Sequence, residues 1–324
     1  MPIAEAGRFR VVDVIRGERP STRTIEGGYP RSAPAVKAAM SKGEALLLVR
    51  EDPLPGWVVL GPIGIDQAGW LRKLAVGKHT DEIGAQEWRD RVALVVPRLE
   101  SRQPLVSKIA YGELAAAPYV SLRTAQPHLD VRAVHAWLAD PALAERHRLY
   151  LLLLGVAGNA QDAAALERRL DAAWQSGDAT NLASMLTADL ELRGPARMAW
   201  VEDNYLRDRA RSAPEIEGAL LALSVQGTTA NGVIPRERVI LAYRVFMKSH
   251  PDKAGDVAPD LAAWRYWDAV PEYQALMKSG VRQQYPSTLA MLAYLRQSAD
   301  ARASGSSAEP SRSPGPAPAS LRAP

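Results

Sequence analysis

The residues with the clearest potential for metal chemistry are three histidines near the middle of the chain. His128, His135 and His147 fall close together in the sequence, with Asp130 and Glu145 beside them. A zinc site would need three such side chains to converge at about 2.1 Å from one ion. His128 lies in a predicted loop, whereas His135 and His147 lie on different predicted helices. We therefore predict separate surface or capping roles for these histidines and no metal site.

Acid–base chemistry would require a pair of carboxylates on one face of an element. Asp162, Glu167 and Asp171 lie on one predicted helix, and Glu167 and Asp171 are four residues apart. Residues at this spacing share a helix face, so a paired-carboxylate site is one interpretation. Arg168 and Arg169 lie between them, and an ordinary solvated helix face accounts for the same residues. The solvated face is our prediction.

Two other patterns only superficially resemble sites. Glu202 and Asp203 are adjacent on a predicted helix, so their side chains point in different directions. The segment from Gly61 to Gly64 resembles a phosphate loop, but Pro62 stands where a backbone N–H would be needed. We interpret this segment as a turn at the end of a strand.

Known catalytic signatures are absent from the sequence. It contains no P-loop, Gly-x-Ser-x-Gly, His-Glu-x-x-His or EF-hand pattern. It also contains no cysteine, which excludes disulfides, thiolate nucleophiles and zinc sites with cysteine ligands. We predict no catalytic residue, no cofactor and a non-enzymatic role.

A dense group of aromatic residues lies in the last third of the chain. Trp, Tyr and Arg dominate the residues that contribute most to protein interfaces. The same rings could instead fill gaps between helices, in a chain that has only two phenylalanines. Both interpretations stay open, and the candidate binding residues are Trp264, Tyr266, Trp267 and Arg244, with Tyr273 and Tyr285 nearby in the sequence.

Nucleic-acid binding, including a role as a base-excision enzyme, is the alternative function. It requires basic and aromatic side chains along one wall. The chain has 40 Lys and Arg against 36 Asp and Glu, and the two signs nearly balance over residues 126–300. We therefore consider nucleic-acid binding the weaker hypothesis. Its best candidates are Arg207, Arg209, Arg211, Arg236, Arg238 and Arg244.

The first part of the chain has β character. Residues 9–15, 45–49 and 57–60 are predicted strands, bounded by Gly, Pro or charged residues. No long crossover helix separates them, so we expect a small sheet or partial barrel rather than a parallel βαβ layer. Residues 86–99 predict a helix that is broken at Pro97.

From about residue 105 the hydrophobic period becomes helical. Proline near the first turn predicts helix starts at Pro141, Pro195 and Pro235, and Ser212 with Glu215 fits a capping box. Asn159 and Asp256 are predicted caps. Three predicted turn glycines lie 36 and 33 residues apart, a period typical of stacked helix pairs; they are Gly158, Gly194 and Gly227.

The stretch from about 105 to 298 resembles HEAT-type α-helical repeat proteins, specifically uncharacterised bacterial ones. The resemblance rests on residues 109–119, 140–155, 234–239 and 289–295. It implies an interaction scaffold that holds a protein partner on its concave face. Residues 9–17 are similar to the interior of a netrin-type OB barrel, although the N-terminal cysteines of that family are absent here.

The predicted fold class is therefore α+β multidomain. It consists of a small N-terminal β sheet or partial barrel, followed by an α-helical HEAT-like solenoid of about four helix pairs. The predicted domains are 1–104, 105–299 and a disordered tail over 300–324 that is rich in Pro, Ser and Ala.

The two ends of the chain carry separate predictions. The final helix, with Met291, Leu292 and Leu295, is expected to close the helical array. The N-terminus has no signal-peptide pattern, so we predict a cytoplasmic protein with no membrane span. Export is the alternative if the true start codon lies upstream.

Overall fold

A computed structural model describes residues 5–31, 33–50, 56–74 and 83–304 of the 324-residue chain. It has a small N-terminal sheet followed by helices, which confirms the predicted α+β class. The chain divides into two compact units, Met1–Leu166 (unit 1) and Glu167–Pro324 (unit 2). The HEAT type of the helical part stays a prediction.

Four strands form one mixed sheet within the described residues: β1 (Glu5–Arg10), β2 (Thr24–Tyr29), β3 (Leu46–Val49) and β4 (Trp57–Pro62). Their order in the sheet is β1-β2-β4-β3. β1 pairs with β2 and β3 pairs with β4 in antiparallel fashion, whereas β2 and β4 are parallel.

The predicted strands over residues 45–49 and 57–60 are confirmed as β3 and β4. Two other expectations for the sheet are wrong. The first strand ends at Arg10, so residues 11–15 are not part of it, and β2 has no counterpart among the predicted strands. The sheet also contains a parallel pair, contrary to expectation. A helix over Pro34–Lys42 connects β2 to β3, which runs in the opposite direction and so returns the chain; β4 then inserts between them, parallel to β2.

The core of the sheet lies against this helix. Tyr29, Val36 and Val59 are buried, and Phe9 and Leu48 pack against them. β1 alternates half-buried and exposed residues, so Phe9 faces this core. The alternating burial along β1 therefore directs one face of this edge strand toward the core.

The helices occupy most of the remaining described chain. Those of unit 1 are α1 (Pro34–Lys42), α2 (Ala68–Leu74), α3 (Ala85–Val95), α4 (Pro104–Ala115), α5 (Tyr119–Leu122), α6 (Val131–Ala139) and α7 (His147–Ala157), and α8 (Ala160–Ser176) begins there. Those of unit 2 are α9 (Leu182–Arg193), α10 (Met198–Val201), α11 (Ala213–Thr228), α12 (Arg236–Ser249), α13 (Ala258–Ala263), α14 (Val270–Lys278) and α15 (Tyr285–Ala303). As predicted, α3 gives way to a 3-10 turn that contains Pro97.

Local capping signals were mostly reliable. The Ser212 backbone N–H donates to Glu215 Oε2 at 2.9 Å, which confirms the capping box at the start of α11. Asn159 Oδ1 accepts from the Gln161 N–H at 2.7 Å, so Asn159 caps α8 as predicted. The Asp256 prediction is wrong, because Asp256 lies inside a 3-10 helix over Pro251–Val257 and Val257 precedes α13.

Two of the three predicted turn glycines end a helix, and the prediction is wrong for the third. Gly158 ends α7, and Gly194 ends α9 with a positive φ of 67°. Gly227, however, lies within the last turn of α11. Its missing side chain makes room for a ring, since a Cβ there would lie 2.4 Å from the Trp264 side chain. The apparent repeat spacing at Gly227 therefore reflects close packing rather than a turn.

The predicted inner face of the last helix is confirmed at Met291 and wrong at Leu292. Its inner face buries Ser287, Met291, Tyr294 and Ser298. Leu292, which was expected on that face, is 46% exposed. α15 ends at Ala303, and residues 305–324 of the predicted tail lie outside the described residues.

Within the described part of the chain, none of the helices combines the length and apolar character needed to span a bilayer. Location in the cytoplasm stays a prediction.

Candidate functional site: the aromatic turn

The predicted aromatic residues lie in the connection between α13 and α14. Proline stands in the first turn of each helix, at Pro259 and Pro271. Proline favours helix starts because its missing N–H leaves no bond unmade there. The short α13 ends at Ala263 with Trp264 as its C-cap, and α14 starts at Val270. We call residues Trp264–Arg265–Tyr266–Trp267 the aromatic turn.

Arg265 has an unusual backbone conformation. Its φ is 55°, in the left-handed region. The Arg265 N–H donates to Ala262 O and the Tyr266 N–H donates to Leu261 O, both at 2.9 Å. These two bonds form a Schellman motif, in which glycine is the usual residue at the left-handed position. Arginine there costs about 1 kcal/mol relative to glycine.

Trp264 is half-buried and held from several directions. Its ring stacks on that of Tyr243, with 5.6 Å between centroids and 7° between planes. The Arg236 guanidinium lies 5.5 Å from the ring centroid, and the same side chain donates from Nε to Gly227 O at 2.8 Å. Trp264 Nε1 donates to Thr228 Oγ1 at 3.3 Å. These contacts with Tyr243, Arg236 and Thr228 fix the orientation of the tryptophan ring.

The Trp267 ring and the Tyr266 backbone contact a buried pair of tyrosines. Trp267 and Tyr266 are half-buried, whereas Tyr273 and Tyr294 are fully buried. The Trp267 and Tyr294 centroids are 5.2 Å apart, and Tyr294 and Tyr273 form an edge-to-face pair at 4.9 Å. The Tyr294 hydroxyl donates to Tyr266 O. Burial raises the pKa of Tyr266 above its ordinary value, so this phenol stays neutral near pH 7.

Two arginines near the turn differ in how their charges are balanced. Arg244 pairs with Glu272 at 2.7 Å, and both side chains are partly exposed. Arg265 is exposed, and none of the described carboxylates forms an ion pair with it. The aromatic turn therefore presents one uncompensated guanidinium beside three half-buried rings.

The sequence left core packing and an exposed binding patch open for the aromatic residues, and the structure places these residues differently. Tyr273 is core, and Trp264, Tyr266 and Trp267 lie half-buried on one turn. Tyr285 starts α15 and is 75% exposed, away from this turn in the chain. Sequence reasoning grouped the three turn residues correctly. It missed Arg265, because an arginine in a left-handed conformation has no sequence signal.

The histidine candidates lie on separate elements. His128 ends a 3-10 helix, His147 starts α7 and His135 is on α6. His135 Nε2 lies 2.6 Å from Asp162 Oδ1. Among the residues that the structure describes, no group of three or more His, Asp or Glu side chains is arranged to hold a metal ion.

The prediction of a solvated acidic face is wrong for Asp162. This residue is 5% exposed, and besides His135 it accepts from the Asn159 N–H at 2.9 Å. Arg168 and Arg169 are exposed, as that prediction required. The predicted solvated face therefore includes the two arginines but not Asp162. Asp162 instead links the start of α8 to His135 on α6.

Glu167 belongs to a group of acidic and basic side chains that the sequence did not predict. Asp189 is fully buried and pairs with Arg197 at 2.6 Å and with Arg193 at 3.1 Å. Glu167 pairs with the same two arginines, at 2.7 Å from Arg193 and 3.2 Å from Arg197. We call these four residues the buried ion cluster. Burial raises the pKa of Asp189, although Arg197 and Arg193 act in the opposite direction.

The arginines proposed for nucleic-acid binding are largely engaged within the protein. Acidic partners within the chain bind Arg207, Arg211, Arg238 and Arg244. Arg238 reaches Glu202, which is buried rather than solvated. Of the set, Arg209 is exposed with no ion pair among the described residues. These pairings compensate the charge of four of the six candidate arginines.

No protein family, curated protein or solved structure was found to match this chain. The functional argument therefore rests on its own residues.

Proposed function

We propose that the chain is a HEAT-like, non-enzymatic interaction scaffold that binds a protein partner through the aromatic turn. One observation carries the proposal. Arg265 follows half-buried Trp264 and precedes half-buried Tyr266 and Trp267 in the chain, and it occupies a left-handed position that glycine would fill at lower energy. Backbone strain of this kind is often kept where the side chain has a function.

The composition and rigidity of the turn support the same role. Trp, Tyr and Arg are enriched among the residues that dominate interface energies. Trp264 and Trp267 are fixed by Tyr243 and Tyr294, so a partner would lose little entropy in ordering them. Rings that are already ordered make a favourable binding surface.

The charge of the turn indicates the chemistry of the partner. Because Arg265 has no carboxylate partner among the described residues, an aspartate or glutamate of the bound protein would compensate it. Apolar side chains beside that carboxylate would cover Trp264 and Trp267. We therefore propose an acidic and apolar segment of another protein as the ligand.

Nucleic-acid binding is the weaker candidate. Four of its six arginines already pair with carboxylates of the chain, which lowers the positive potential available to phosphates. Retention on heparin at about 50 mM salt, lost as salt rises, would favour it over the protein-binding proposal.

Site-specific crosslinking tests the proposal. A photoreactive residue at exposed Asp268, next to the turn, should yield one discrete protein adduct in extracts of the native host. The matched control carries the same residue at exposed Glu217 on α11. An adduct formed equally from both positions, or from neither, would contradict the proposal.

A further inference from the structure

The pair formed by His135 and Asp162 combines an exposed imidazole with a buried carboxylate. His135 Nε2 lies 2.6 Å from Asp162 Oδ1, and 49% of the histidine side chain is exposed, against 7% of the aspartate side chain. The other aspartate oxygen accepts from the Asn159 N–H at 2.9 Å. A carboxylate held at the start of α8 therefore fixes one nitrogen of an exposed ring on α6.

The second nitrogen of His135 is available for chemistry. In the neutral ring, Nε2 carries the proton that Asp162 accepts, so the lone pair lies on Nδ1. In a Ser–His–Asp triad, the nitrogen that faces away from the aspartate bonds to a hydroxyl nucleophile. No described serine or threonine hydroxyl forms a hydrogen bond with His135. The imidazole nitrogen is therefore itself the accessible nucleophile.

A positive charge lies about one turn away on the same helix. Arg132 and His135 are three residues apart on α6, a spacing that puts both side chains on one helix face, and both are exposed. Arg132 forms no ion pair with any carboxylate that the structure describes. A guanidinium beside a nucleophile favours an anionic electrophile, because it can bind the oxygens of a transferring phosphoryl group.

We propose that His135 is a phosphoryl acceptor, phosphorylated on Nδ1 by a donor with a labile P–N bond, such as a phosphohistidine of another protein. The proposal concerns a modification site of the chain and does not depend on the aromatic turn.

The transfer needs no further reactant. The Nδ1 lone pair forms a bond to phosphorus, the P–N bond of the donor breaks, and its electron pair returns to the donor nitrogen. The His135 ring keeps its Nε2 proton and therefore gains positive charge. Asp162 stabilises this charge, as a carboxylate stabilises the imidazolium of a hydrolase triad. Arg132 compensates the negative charge of the added phosphoryl group.

A purely structural role for the pair gives a different expectation. If the hydrogen bond only joins α6 to α8, His135 should react no faster than another exposed histidine. His128 provides this reference, because it is exposed and forms no ion pair with a described carboxylate. Trypsin cleavage after Arg132 separates the two, since residues 124–132 contain His128 and residues 133–146 contain His135.

Phosphorylation of the folded full chain by phosphoramidate tests the proposal. Tryptic peptides are analysed by mass spectrometry at mildly alkaline pH, because phosphohistidine is labile to acid. Residues 133–146 should be phosphorylated at least about tenfold faster than residues 124–132. His135→Gln should abolish the fast reaction. Equal rates at His135 and His128, or a fast reaction that persists in His135→Gln, would overturn the proposal.

Asp162→Asn tests the role of the carboxylate. The rate at His135 should fall toward the rate at His128, whereas the rate at His128 itself should stay unchanged. Asp171→Asn, further along α8, is the matched control and should leave both rates unchanged. Circular dichroism establishes that the variants are folded. An unchanged rate at His135 in folded Asp162→Asn would overturn the proposal. If this variant unfolds, the comparison of His135 with His128 in the wild-type chain decides.

Discussion

Two of the places in unit 2 that combine arginine with tryptophan differ in how the arginine charge is compensated. In the buried ion cluster, the Arg197 guanidinium lies 3.9 Å from the Trp200 ring centroid, and its charge is balanced by Asp189 and Glu167. At the aromatic turn, Arg265 stands beside Trp264 with no ion pair to a described carboxylate. The comparison teaches that residue type alone does not mark a binding surface. The two places differ in whether the arginine beside the tryptophan pairs with a described carboxylate.

The largest expected effect belongs to the buried ion cluster. Arg197→Ala should lower the free energy of unfolding by about 3–5 kcal/mol, because buried Asp189 loses its best partner. The exposed Arg168→Ala variant on α8 should change stability by less than about 0.5 kcal/mol. Chemical denaturation of both variants measures the difference, and a loss below about 1 kcal/mol for Arg197→Ala would show that the cluster is not structural.

The second largest effect is expected where Trp264 packs on Gly227. Gly227→Ala should lower the free energy of unfolding by about 1–3 kcal/mol, because the added Cβ would lie 2.4 Å from the ring. The control is Gly112→Ala in α4, where an added methyl group would meet nothing within 4 Å. That change should be neutral or stabilising by up to about 1 kcal/mol. Equal effects of the two variants in thermal melts would mean that Trp264 is not packed on Gly227.

Arg265→Gly should raise the free energy of unfolding, in contrast to Arg197→Ala and Gly227→Ala. Glycine suits the left-handed backbone, so the variant should be about 1 kcal/mol more stable than the wild-type chain. Asn181, also left-handed with a φ of 57°, provides the matched change Asn181→Gly at the start of α9. Asparagine tolerates the left-handed region better than arginine does, so Asn181→Gly should raise the free energy of unfolding by less than Arg265→Gly. Destabilisation by Arg265→Gly would show that the arginine side chain contributes to folding.

The smallest expected effect is a pH dependence from a buried histidine. His250 is 5% exposed, and burial lowers its pKa, with Lys253 and Arg209 acting in the same direction and Asp252 opposing them. The unfolded chain therefore binds this proton more readily than the folded chain does. Stability contributed by neutral His250 is complete above about pH 6.5 and declines as the pH falls below it. His250→Gln should flatten this part of the curve of unfolding free energy against pH, and an unchanged slope would contradict the assignment.

Much of the fold followed from local sequence signals. The prolines and the Ser212 capping box predicted helix starts because capping depends on neighbouring residues. β2 and the parallel pairing were missed, because they depend on contacts between distant segments. Gly227 was misassigned for the same reason: a glycine at a turn and a glycine beneath a ring have the same sequence appearance.

The candidate site was predicted in part. The density of aromatic residues identified Trp264, Tyr266 and Trp267, but burial separated them from Tyr273 only in the structure. Arg265 could not be singled out, since its backbone conformation is set by the end of α13 and the start of α14. The buried ion cluster was missed because Gly194 turns the chain so that Arg197 meets Asp189, and this meeting has no spacing signature.

The most direct test of the central claim is the affinity of the crosslinked partner for three forms of the chain. Wild-type protein and Asn181→Gly should bind it equally, whereas Arg265→Gly should bind at least about tenfold more weakly while being more stable. Stability and binding would then move in opposite directions at one residue. Equal affinity of all three forms would contradict the assignment of the aromatic turn as the binding surface.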